Sequence, residues 1–242
     1  MPKVFVSLSQ ALPASVESPD CVVVVDVLRS GVSVATALEN GAKEVRMFRT
    51  VEEARECAAA LPAGTALLCG ERKYLRIPGF DLSNSPLDYT RDVVEGKTVI
   101  LTTTNGPATV ASLDIGSSPL LLYAALCNSG ATARRIMQAG CSTVSIVCAG
   151  TRSLLSLEDA VGAGAIMAAL GEHELGDDGA LVSQWAWQEH GPHFSERVSW
   201  FEGGKRLLAL GMTADLAVCS RHDNIDLAVE YDYSTGVFKA VR

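Results

Sequence analysis

No apolar run in this 242-residue chain approaches the ~18–20 residues of a membrane span; the longest, Pro119–Cys127, has nine. Basic residues are also scarce. Twenty Lys and Arg stand against 28 Asp and Glu, a formal net charge of −8, which argues against a nucleic-acid footprint and against an anionic membrane surface. The seven cysteines, an odd number, show no C-x-x-C spacing and mostly lie in apolar runs, so they read as reduced core thiols rather than a disulfide or metal framework. Pro-, Ser- and Gly-rich linkers, low-complexity tracts and short repeats are missing. Met1-Pro2-Lys3-Val4-Phe5-Val6 enters a strand-like pattern with no apolar segment ahead of a cleavage site. A cytoplasmic protein is the expectation.

What the chain does have is size and rhythm. At 25.5 kDa and 48% hydrophobic residues it can bury a substantial core without staples. Short β-branched runs alternate with stretches of helical period. Strands are expected at Val4–Leu8, Val22–Val27, Glu44–Phe48, Ala66–Cys69, Thr98–Leu101, Leu120–Tyr123 and Thr143–Cys148. Thr50-Val51-Glu52-Glu53 is a capping box, Ser85-Pro86 starts a helix with proline at its first position, and Ser156-Leu157-Glu158-Asp159 opens a helix running to Leu170. This alternation predicts a three-layer α/β/α fold with a largely parallel or mixed sheet. One domain is expected: residues 1–170 as the α/β core, and 171–242 as a helical annex ending in an edge strand at Gly236–Val241. Of Trp185, Trp187 and Trp200 in that annex, two are expected in the core and one at the interface of a homo-oligomer.

Ligands of open α/β sheets bind beyond the carboxyl ends of the strands, so the residues following each strand carry the functional information. One strand delivers Asp26, Arg29 and Ser30. The next delivers Glu71, Arg72, Lys73 and Arg76, then Asp81 and Asn84, in a loop Gly70–Ser85 expected to lack regular structure. Two more deliver Thr102-Thr103-Thr104-Asn105-Gly106, and Gly150-Thr151-Arg152 followed by Glu158 and Asp159. Carboxylates suit Mg²⁺, arginine forks suit phosphate, and free backbone N–H groups suit anions, so the set fits a phosphorylated substrate with a divalent cation. Each piece has an ordinary alternative: a helix cap for Asp26, a surface ion pair for Glu71-Arg72, a turn for the threonines, a salt bridge for each arginine. Cys148 reads as core, and His190-Gly191-Pro192-His193 as a solvated turn. The phosphate-loop, dinucleotide-loop and nucleophile-elbow motifs are absent, as is the paired aspartate of aspartyl-phosphate phosphatases, Leu28 standing where the second would be.

Taken together, Val23-Val24-Val25-Asp26-Val27-Leu28-Arg29-Ser30, Gly70-Glu71-Arg72, Gly79-Phe80-Asp81-Leu82-Ser83-Asn84-Ser85-Pro86, Leu101-Thr102-Thr103-Thr104-Asn105-Gly106 and Cys148-Ala149-Gly150-Thr151 resemble the 2-phosphosulfolactate phosphatases. The resemblance covers roughly residues 3–170 and thins beyond them; Lys73 and Ser83 stand where that family has glycine. It implies a Mg²⁺-dependent phosphomonoester hydrolase converting (2R)-2-phospho-3-sulfolactate to 3-sulfolactate and phosphate, a step of coenzyme M biosynthesis in organisms that make it. The expected machinery is Asp26, Arg29, Glu71 and Arg72 in catalysis. Ser30, Asn84, Thr103, Thr104, Asn105, Gly106, Gly150, Thr151 and Arg152 bind substrate, and Asp26, Glu71, Asp81, Glu158 and Asp159 are the metal ligands. Water would attack phosphorus in line while the arginines hold the developing charge. The competing hypotheses are a phosphatase of different small-molecule specificity and a non-catalytic binding module for a sugar phosphate or sulfonate. Five acids beside the arginines speak against the second, since each repels an anion unless a cation intervenes.

Overall fold

Cys21–Val25 (β2) is apolar at every position and buried at every position, as a central strand covered on both faces must be. The computed structural model describes residues 1–13, 16, 18–113, 118–151 and 154–242. The chain begins with β1 (Lys3–Ser7) and β2, continues through α1 (Ser30–Glu39), β3 (Glu44–Met47) and α2 (Val51–Ala59), and then makes a hairpin of β4 (Ala66–Arg72) and β5 (Leu75–Arg76). Next come α3 (Arg91–Val94), β6 (Thr98–Thr102), α4 (Gly106–Ser112), β7 (Leu120–Ala124), α5 (Ser129–Gln138), β8 (Thr143–Cys148) and α6 (Leu157–Leu170). The last third holds β9 (Glu174–Leu175), α7 (Asp178–His190), α8 (Phe194–Arg197), α9 (Glu202–Ala209), α10 (Thr213–Cys219), β10 (Ala228–Asp232) and β11 (Val237–Val241).

Among the described residues, eleven strands form one mixed sheet in the order β5-β4-β6-β3-β11-β10-β7-β2-β8-β1-β9. Two parallel blocks, β4-β6-β3 and β7-β2-β8-β1-β9, are joined by the antiparallel β10–β11 hairpin. The expected edge strand at the C-terminus is therefore wrong. β11 lies in the middle of the sheet, with Phe238 opposite Val45, and β10 sets Val229 opposite Tyr123. The reason is burial: Val229, Val237 and Phe238 are at most 1% exposed, which an edge position would not require. The turn between the two strands is closed by Asp232, whose carboxylate accepts from Ser234 N, Ser234 Oγ and Thr235 Oγ1.

The layers match the expected α/β/α architecture. The small-residue helix α6 is almost wholly buried, packed between α5 and α7. The capping box at Thr50 and Glu53 forms as read, whereas Ser85 caps only a single 3₁₀ turn, Pro86–Asp88. The stretch 70–85 is less irregular than expected, since Arg72 pairs with Leu75 across a tight two-residue turn. The tryptophans also depart from expectation: Trp185 and Trp200 are 57% and 61% exposed, and Trp187 alone packs against the core. No helix among the described residues is long and apolar enough to cross a membrane.

Candidate active site

Asp26 follows the last residue of β2, where the strand stops and α1 has yet to begin. Its backbone N–H still pairs with Ala124 O, so its carboxyl is delivered at the carboxyl end of the sheet. Ser30 N donates to Asp26 Oδ1 at 3.2 Å and Ser30 Oγ donates to Oδ2 at 2.5 Å. Tyr123, at the end of β7, brings its hydroxyl to 2.5 Å from Ser30 Oγ and donates to Asp26 Oδ2 at 3.4 Å. The Tyr123 ring leans on Phe238 of the central hairpin, with centroids 5.7 Å apart. Burial pushes the Asp26 carboxyl above its usual range, partly offset by the Ser30 and Tyr123 hydrogen bonds and reinforced by the negative charge of Glu71.

A second group of residues arrives from the other parallel block. The loop after β6 crosses to β2, and α4 begins at Gly106 directly against the Asp26 cluster. A Cβ there would lie 1.9 Å from the Tyr123 hydroxyl and 2.5 Å from Ser30 Oγ, so only glycine permits the approach. Glu71, buried at the end of β4, secures the crossing. Its Oε1 accepts Thr104 N–H and Thr104 Oγ1, each at 2.8 Å, and its Oε2 accepts Tyr74 N–H at 2.7 Å. Arg72 ties the same strand ends together, donating to the carbonyls of Glu71, Thr102 and Arg49 and to Thr102 Oγ1.

Behind Asp26, α6 contributes two buried acids. Asp159 accepts Val27 N–H at 2.8 Å and Gly150 N–H at 2.9 Å, holding the turns after β2 and β8 in register. Burial, with Asp26 and Glu158 nearby, pushes its carboxyl well up. Glu158 lies against the backbone of Gly203 in α9. Burial and the Asp26 charge push its carboxyl up to about 7, and its Oε2 is buried without a hydrogen-bond partner among the described residues.

These elements enclose a cavity of about 230 Å³ lined by Asp26, Leu28, Arg29, Glu71, Arg72, Lys73, Tyr74, Asn84, Thr103, Thr104, Asn105 and Thr151. Most of the expected site residues thus meet at one place, with Ser30, Gly106, Gly150, Glu158 and Asp159 directly behind the lining. Asp81 does not join them. It is exposed, and its Oδ2 accepts Leu68 N–H at 2.8 Å, where it caps the side of β4 instead of facing the cavity. Arg152 lies outside the described residues. The arginines also differ from expectation. Arg29 is buried and paired with Asp215 of α10 at 2.5 Å, its other terminal nitrogen donating to Tyr74 O at 3.0 Å, while Arg72 spends its terminal nitrogens on carbonyls and a hydroxyl. No three Asp, Glu, His or Cys side chains among the described residues form a ready metal cage.

A family profile described as 2-phosphosulpholactate phosphatase matches residues 7–233. The chain belongs to the 2-phosphosulpholactate phosphatase family. Relatives named "Probable 2-phosphosulfolactate phosphatase" extend along nearly its whole length. One from Parasynechococcus marenigrum (strain WH8102) is 38% identical, covering 93% of each chain, and one from Synechocystis sp. (strain ATCC 27184 / PCC 6803 / Kazusa) is 34% identical, covering 98% of this chain and 99% of its own. A third, from Caldanaerobacter subterraneus subsp. tengcongensis, is 40% identical over 85% of each. The match runs well past residue 170, so the last third of the chain is part of the family's body. That third supplies a residue sequence reasoning missed: Asp215, which holds both Arg29 and, at 2.7 Å, Ser85 Oγ. Nothing around Thr213-Ala214-Asp215 signals it, because its partners are 130 and 186 positions away. Tyr123 was legible only as a strand residue, and Tyr74 only as part of a loop.

Proposed function

We propose that the protein hydrolyses the phosphomonoester of (2R)-2-phospho-3-sulfolactate to 3-sulfolactate and phosphate, with Mg²⁺ as cofactor. The observation that carries this reading is the meeting of Asp26 with the Glu71-anchored Thr103–Asn105 loop at one oxygen-lined cavity, in a chain of this family. The donor set suits a hard cation. Asn84 Oδ1, Thr103 Oγ1 and Glu158 Oε2 are buried oxygens without partners among the described residues, and such atoms cost about 1–3 kcal/mol each when left unsatisfied. Mg²⁺ typically needs only one or two carboxylates, completing its shell with water and substrate phosphate, so a three-acid cage is not required. Asp26 on the cavity wall, with Glu158 behind it, would hold the ion, and the ion when bound would supply positive charge to the phosphate oxygens.

The chain's own groups do the rest. Thr103 and Asn84 line the pocket with oxygens that can orient a phosphate or its water. Glu71 fixes Thr104, so the loop presents the same face at every turnover. Arg29, its charge compensated by Asp215, holds the Tyr74 carbonyl at the cavity wall without having to reorganise. Asp26 keeps its orientation at the cavity wall through Ser30 and Tyr123, both of which donate to Oδ2, while among the described residues Oδ1 accepts only Ser30 N–H.

The test is release of inorganic phosphate from small phosphoesters, including 2-phospho-3-sulfolactate. Activity should vanish in EDTA and return with Mg²⁺, and Asp26→Asn should lower turnover at least ~10²-fold, the size of losing one fixed electrostatic stabiliser. Full activity in thoroughly metal-stripped protein would remove the cation from the proposal, and a near-wild-type Asp26→Asn would reduce Asp26 to a helix cap.

A further inference from the structure

The β4–β5 hairpin turns through Lys73 and Tyr74, whose φ values of 54° and 70° both lie in the left-handed region. A two-residue turn with both central residues there favours sequences such as Asn-Gly, because larger L side chains crowd the neighbouring carbonyl. Lys and Tyr persist here because side chains tie the turn from within and without: Glu71 of β4 accepts Tyr74 N–H on Oε2 at 2.7 Å, and Arg29 donates to Tyr74 O at 3.0 Å. Backbone strain held by its surroundings concentrates at functional sites. The result of this turn is that Lys73, though exposed, lines the cavity.

The charges around it make that position informative. Arg29 is compensated by Asp215 at 2.5 Å, and the terminal nitrogens of Arg72 go to carbonyls and a hydroxyl. Lys73 lines the cavity with no ion pair or hydrogen bond to any described residue, although Asp26 and Glu71 line it too. An ammonium on a flexible stem can meet a group whose position varies, whereas a buried, fully tied guanidinium cannot.

We infer that Lys73, which stands where the family has glycine, adds a selectivity of this chain's own: its ammonium takes the anionic group carried beside the phosphate, so that a polyanionic three-carbon ester is favoured over a simple phosphomonoester more strongly than glycine at this position would allow. The inference rests on the phosphatase reading above. Two variants separate charge from folding. Lys73→Gly removes the charge and suits the positive φ, so it should fold at least as well as the wild type; Lys73→Arg keeps the charge. Lys73→Gly should raise KM for 2-phospho-3-sulfolactate roughly 10–100-fold, as expected for losing one charge-assisted contact, with kcat much less affected. The rise should be at least tenfold larger than for p-nitrophenyl phosphate, and Lys73→Arg should recover most of it. Phospholactate, which keeps the carboxylate but lacks the sulfonate, tells the two groups apart: a rise shared by phospholactate assigns Lys73 to the carboxylate, and a rise confined to the sulfonated ester assigns it to the sulfonate. Equal effects on all three esters, or none, overturn the inference. If the wild type releases phosphate from none of them, the phosphatase reading fails on its own. Calorimetric binding of 3-sulfolactate then decides: loss in Lys73→Gly with recovery in Lys73→Arg upholds the role of Lys73, and unchanged binding ends it.

Discussion

Gly106 occupies the tightest point of the site, where an added methyl would meet the Tyr123 hydroxyl at 1.9 Å and Ser30 Oγ at 2.5 Å. Tyr123 is fully buried and backed by Phe238, so it has no space into which to withdraw. Gly106→Ala should therefore cost about 1–3 kcal/mol, the usual penalty for overpacking, and displace Ser30 from Asp26. A thermal melt and the turnover number check it together: both should fall, and a variant that loses neither would mean the crossing loop is not clamped at this point. Asp26, Glu71 and Thr103–Gly106 were legible in the sequence because each comes within two residues of an apolar run, where polar residues interrupt it. Asp81 misled for the same reason. It has the composition of a site residue and follows the same strand, yet its carboxylate closes a local bond to Leu68 N–H. Lys73 and Tyr74 gave no sign of a turn, since neither is a residue that prefers positive φ.

At the level of elements, the last third of the chain is tied to the site where α10 meets the residue just ahead of α1, through Asp215 and Arg29, whose side chains are 8% and 2% exposed. Removing one member of a buried pair leaves an uncompensated charge and costs about 3–5 kcal/mol, whereas replacing both by apolar residues can restore most of that. Asp215→Ala should accordingly lower the denaturation midpoint strongly, and the double change Arg29→Met with Asp215→Leu should recover stability. Turnover then separates two roles for Arg29: a stable double variant with lost activity means that its charge serves the reaction, and full activity means that the pair serves only the fold. The sequence allowed the strands of both parallel blocks to be read, because their β-branched runs are local signals. The insertion of β10–β11 between those blocks is a pairing over long separations, such as Val45 with Phe238, and strand composition does not encode which partner a strand will choose.

Across the whole molecule, three mutually close carboxyls, Asp26, Glu158 and Asp159, are all pushed upward, with burial the largest cause in each case. A carboxyl that binds its proton more tightly folded than unfolded favours the folded state at low pH. Glu158 should thus withdraw stability from metal-free protein as pH rises from its usual 4.5 through about 7, the window over which only the unfolded state ionises freely. Thermal melts of metal-stripped protein should fall across this range, and added Mg²⁺ should raise the midpoint more at pH 8 than at pH 6; an equal gain at both would mean that the cation does not bind these acids. The central hairpin bears on how the chain is made as well as on how it is held. While residues 228–241 are still inside the ribosome, β3 and β7 each present an open apolar flank to solvent, because the strands that will cover them come later in the chain than both. Neither parallel block can find its final neighbour until residues 228–241 have been made, so the nascent polypeptide emerges with two adhesive edges, and its yield in the cell should depend on chaperones that shield them until that hairpin emerges.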